Sequence, residues 1–181
     1  LLSGFLYGTA SKLQEKLFFK GRPITAKENS CEVIASYNAL LSLGSPEPFS
    51  EVLKEYSQGG SVFTGYSVPI QSDKEIFEKR GFAVKAFEGE EIERLKSEGD
   101  PADDRKCAYI FTTYNRKNNP FSMIHTMCIT VEDTGYQTHN DAEGNKIYPT
   151  VYDAVVGYEK GEADRFMSFG SVPWIETLVR L

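Results

Sequence analysis

A chain of 181 residues with 40% hydrophobic and 25% charged residues has the material for one substantial core, and its composition is neither that of a disordered segment nor that of a repeat array. The net charge of -6 and pI near 5.1, with Lys and Arg scattered among acids, exclude a nucleic-acid or anionic-membrane surface, and no apolar run approaches the ~20 residues of a membrane span. Cys31, Cys107 and Cys128 form an odd set without CxxC spacing, so a reduced compartment is expected and a cytoplasmic location is favoured. The start at Leu1 rather than Met leaves a removed targeting segment open, and localisation with it.

The spacing of Leu13, Leu17 and Phe18 predicts a helix over Ser11 to Lys20, ended by Gly21 and Pro23. Ile24 to Lys27 then leads into a helix that carries Cys31 in its first turn and runs to Leu43, with Gly44 closing it. Val33, Ile34, Ala35, Tyr37, Ala39, Leu40 and Leu41 leave that helix only a narrow polar edge at Glu32, Ser36 and Ser42, so it is expected at the centre of the molecule. Short helices are predicted at Ser50 to Tyr56 and, capped by Ser72, through Lys79 with Gly81 at its end; a Gly-rich connection joins them. Phe82 to Phe87 reads as a strand and Glu90 to Glu98 as a surface helix. The period then changes: Cys107 to Tyr114, Ile124 to Glu132 and Tyr136 to Asn140 read as strands, the last two joined by a tight turn at Glu132 to Gly135. A short helix near Tyr152 to Glu159 and a return of Phe166 to Leu181 to the sheet complete an α+β chain, read as a single domain over 1–181.

The chemistry concentrates at Asn29-Ser30-Cys31-Glu32. Asn29 is placed to cap, and Glu32, three residues on, to close a capping box. A thiol in the first helical turn meets backbone N–H groups and the positive end of the helix dipole, which favour the thiolate. A nucleophilic thiol needs a base, and a third group to orient that base. His125 opens a strand whose alternation puts it on one face with Met127, Ile129 and Val131; if the central helix packs on that face, the imidazole meets the helix N-terminus. With the turn at Asp133 and Thr134, His125 pairs with Ala142 and lies diagonal to Asn140, whereas a slip of one residue brings Asp141 opposite instead. Strand parity favours Asn140, and both stay candidates. Taken singly, each residue also has a structural reading: an inert buried Cys, a core His, a turn at Asn140 and Asp141. His125 and Cys128 point to opposite faces of a strand, so no metal site is expected, and no cofactor is implied.

The order of Cys31 leading a central helix, His125 opening a strand and Asn140-Asp141 closing the next resembles the papain-like cysteine peptidase superfamily, nearest to compact bacterial double-glycine leader (bacteriocin-processing) peptidases. The resemblance covers element order from about Ile24 to Asn140. It implies N-terminal helices with a buried Cys31 helix packed on a C-terminal antiparallel sheet, a Cys-His-Asn/Asp triad, and a peptide or protein substrate. Many such relatives have Gly after the nucleophile and a Gln about six residues upstream, where this chain has Glu32 and Thr25. The oxyanion donors would then be the Cys31 backbone N–H with Thr25 or Asn29. Three functions compete: a thiol hydrolase, most plausibly a peptidase; a thiol acyltransferase that passes the acyl group to an amine; and a catalytically impaired peptide-binding module.

Overall fold

A computed structural model describes residues 18–19, 22–23, 31–58, 70–87, 90–99, 107–114, 124–139, 146–155 and 175–180. Its first long element is α1 (Cys31–Ser42), rich in Ala and Leu and free of Gly and Pro. Gly44 ends it at φ 78°; Gly44 N–H donates to Leu41 O at 3.2 Å and Ser45 N–H to Leu40 O at 2.9 Å, a Schellman closure. Pro48 precedes α2 (Phe49–Gln58) and its carbonyl accepts from Glu51 N–H at 2.9 Å. The helix α3 (Ile70–Glu78) stops by the same device as α1, with Gly81 at φ 85°. There Phe82 N–H donates to Phe77 O at 3.2 Å, and the two rings pack with centroids 6.1 Å apart. Ser72 therefore lies inside this helix rather than capping it.

Six strands form one antiparallel sheet. In sequence they are β3 (Lys85–Phe87), β4 (Ala108–Tyr114), β5 (Ile124–Glu132), β6 (Gly135–His139), β7 (Ile147–Tyr148) and β8 (Ile175–Arg180), and in space the order is β3-β8-β4-β5-β6-β7. The return of the last segment to the sheet, expected from sequence, is made by β8, which lies between β3 and β4. A separate antiparallel pair joins β1 (Phe18–Phe19) to β2 (Arg22–Pro23). The helix expected through Lys20 is therefore not continued at Phe18 and Phe19: the two aromatic residues suit a pleated ladder, and helical spacing in so short a run does not outweigh that pairing.

Both faces of the sheet are covered. Val33, Ala35, Ala39 and Leu40 of α1, Val52 and Tyr56 of α2, and Ile76 and Phe77 of α3 pack on Ala108, Ile110 and Cys128. On the other face Tyr109, Phe111, Met127 and Ile129 meet Phe87, Val151, Ala154, Val155 and Leu95 of α4 (Glu90–Glu98). A helical turn at 151–155 supplies three of those side chains. The α+β class holds, with helices on both sides of an antiparallel sheet and α1 seated against β5 and β4. Among the described residues no helix is long and apolar enough to cross a membrane.

Candidate functional site

Cys31 is the first residue of α1 and is partly exposed, whereas the five residues that follow it are buried. The other two thiols lie in the core: Cys107 beside the Tyr109 hydroxyl at 3.7 Å, and Cys128 on the sheet face under α1, where burial pushes its thiol far above the ordinary range. Cys31 instead stands at a helix start, where the first backbone N–H groups of α1 have no partner within the helix.

Directly behind Cys31 runs a buried polar seam. Glu32 is 5% exposed, and its Oε2 accepts from Thr126 Oγ1 of β5 at 2.7 Å. The same carboxyl interacts with the neighbouring Asp73 of α3. Tyr56 of α2 donates its hydroxyl to Asp73 Oδ1 at 2.5 Å, which leaves Ser36 Oγ to donate to the Tyr56 oxygen, also at 2.5 Å. Burial, then the neighbouring Asp73 charge, raises the Glu32 carboxyl well above the usual carboxylate range; burial raises Asp73 too, countered by the hydrogen bonds from Glu32 and Tyr56. Glu32 is thus the acid member of the pair and Asp73 the one that accepts. Burial also holds the Tyr56 phenol well above its usual range, so it stays a donor.

The Asn29 member of the expected capping box lies outside the described residues, while the polar edge expected at Glu32 and Ser36 is not exposed. Both side chains instead face the interior, because on a helix buried all round a polar stripe can only be satisfied by neighbours. The i, i+4 spacing of Glu32 and Ser36 was the available signal. Asp73 carried a second one, sharing the i, i+3, i+4 face of Ile76 and Phe77, but only the fold shows that the two stripes meet.

His125 lies in β5 with its backbone opposite Thr113. Beyond the turn, Cys128 pairs with His139 and Val131 with Tyr136, the register expected for the hairpin. The two faces of β5 are covered the other way round from the expectation. Met127 and Ile129 pack toward Leu95 and 151–155, while Thr126 and Cys128 face α1, so the central helix does not cover the face on which His125 was expected. The apolar run alone could not tell the two faces apart, since both are buried. One irregularity falls in the same row: β8 pairs with Thr112 through Thr177 and with Thr113 through Ile175, a register shift where Thr113 faces His125. The side chain of His125, and Thr25, Asn29, Asn140 and Asp141, lie outside the described atoms, as does the Ala142 pairing.

The described atoms join the two segments on the α1 face, opposite to the face expected for His125. Glu32, next to Cys31, bonds Thr126, next to His125, across 94 residues of sequence. The second histidine, His139, is 2% exposed and opposite Cys128, hence on the α1 face. Its Nε2 lies 2.7 Å from Thr130 Oγ1, whose own proton goes to Glu132 Oε1 at 2.8 Å, so Nε2 carries the ring proton toward Thr130. Burial lowers this imidazole to about 4, which makes it neutral at pH 7.

No protein-family model matches the chain, and no curated protein matches it.

Proposed function

We propose that this protein is a cysteine-dependent hydrolase, a peptidase of papain-like type. In this reading Cys31 attacks a scissile carbonyl while His125 takes the thiol proton and passes it to the leaving amine as the C–N bond breaks. Water then cleaves the thioester, giving one proton to His125, which returns it to the Cys31 sulfur. Asn140 or Asp141 accepts the ring N–H and fixes the tautomer, and Thr25 or Asn29 donates to the oxyanion.

The observation that carries the reading is the place of Cys31, a partly exposed thiol at the first residue of α1, against the burial of Cys107 and Cys128. The Glu32–Thr126 hydrogen bond adds to it only by seating the start of α1 against β5, the strand that carries His125. The test is cleavage of a mixed peptide library at neutral pH, read by mass spectrometry. The wild type is expected to cut, and Cys31→Ala and His125→Ala to lose on the order of a hundredfold or more in rate. Cleavage undiminished in Cys31→Ala would contradict the reading.

A further inference from the structure

The seam behind Cys31 joins four elements through side chains alone: Glu32 and Ser36 from α1, Tyr56 from α2, Asp73 from α3 and Thr126 from β5. All five are buried. Glu32 and Asp73 are buried beside one another, each accepting from a hydroxyl, and two ionised carboxylates have acceptors only, so the arrangement favours one proton held between them. The remaining donors fit that count. Thr126 gives its proton to Glu32, Tyr56 gives its own to Asp73, and Ser36 closes the chain on Tyr56. Among the described residues the titratable groups that face Glu32 are Cys31, Asp73 and Tyr56, and none of them is a cation. Of the described cations on α2, α3 and the turn after it, Arg80 is engaged by Glu47 and Glu55, and Lys54, Lys74 and Lys79 pair with Glu51, Glu78 and Glu55.

We propose that Glu32 is a positioning residue for Cys31: as a neutral carboxylic acid it accepts from Thr126 and shares its proton with Asp73, fixing the first turn of α1 against the opening of β5. The inference rests on the cysteine-hydrolase reading above. Its chemical sense is that a neutral acid ties the nucleophile's helix to the base's strand without placing a second negative charge beside a thiolate. An ionised Glu32 would give the same tether but would oppose thiolate formation at the adjacent residue.

The Cys31 alkylation rate, followed against pH with a small haloacetamide and mapped by mass spectrometry, separates these cases. Glu32→Gln keeps an acceptor for Thr126 and a donor for Asp73 with no charge, so its midpoint should stay within about 0.2 pH unit of wild type. Thr126→Val and Glu32→Ala cut the tether and should lower the Cys31 rate at pH 7 about tenfold or more while circular dichroism remains native. If Glu32→Ala fails to fold, Thr126→Val, which removes one hydroxyl, carries the test. A midpoint falling by about half a unit or more in Glu32→Gln shows an ionised Glu32 and overturns the proposal. Wild-type rates in Thr126→Val overturn it as well. A wild-type Cys31 no more reactive than Cys107 and Cys128 overturns the hydrolase reading itself, and the inference with it.

Discussion

His139 shows how one buried side chain sets a pH response. Its ring binds a proton near 6.5 when the chain is unfolded but only near 4 when folded, because burial penalises the imidazolium. Its contribution to stability is therefore complete above about 6.5 and is lost as the pH falls toward 4, on the order of 3 kcal/mol in all. Glu32 and Asp73 act in the other sense. Their folded carboxyls are raised, so their contribution is complete below the ordinary carboxylate range and declines as the pH rises through it. Urea unfolding of His139→Gln against wild type should show a stability difference that changes between pH 6.5 and 4 in favour of the variant. A difference independent of pH across that window would mean that the folded ring takes up its proton normally.

At the level of elements, α2 and α3 are held together from above by Arg80. Its Nε and Nη2 donate to the two oxygens of Glu47 at 2.6 and 2.7 Å, Nη2 also reaches Glu55 at 2.7 Å, and Nη1 donates to Ile76 O at 2.6 Å. Lys79 pairs with Glu55 beside it. The guanidinium fork, 13% exposed, holds the Glu47 carboxyl below its usual range through the hydrogen bond it donates. An ammonium cannot reproduce that fork, so Arg80→Lys should cost about 1–3 kcal/mol by chemical denaturation; a loss within about 0.5 kcal/mol would show the network to be ornamental at the surface. Elements of this kind were legible where local chemistry decides. Gly44 and Gly81 marked the ends of α1 and α3, and the Asp133–Thr134 turn fixed the β5–β6 register. Phe18 and Phe19 were misread as helix because the competing β-pairing with Arg22 and Pro23 leaves no period to detect over two residues.

Across the whole molecule, the centrality of α1 and the return of β8 to the sheet followed from hydropathy alone, but the neighbours did not. The place of β8 between β3 and β4 is set by pairings that span most of the sequence, and no local pattern encodes them. The same limit explains the site. Cys31 at the start of a buried helix was readable, whereas the seam of Glu32, Asp73, Tyr56 and Thr126 needs four elements brought together, and the covering of both sheet faces hid which one α1 would take. The assembled fold separates its three thiols: two are sealed in the core on opposite faces of the sheet and one stands at a helix start. The decisive measurement is the alkylation rate of each cysteine in the native wild-type protein at pH 7, resolved by peptide mapping. Cys31 is expected to react about a hundredfold or more faster than Cys107 and Cys128; equal rates at all three would contradict a nucleophilic Cys31.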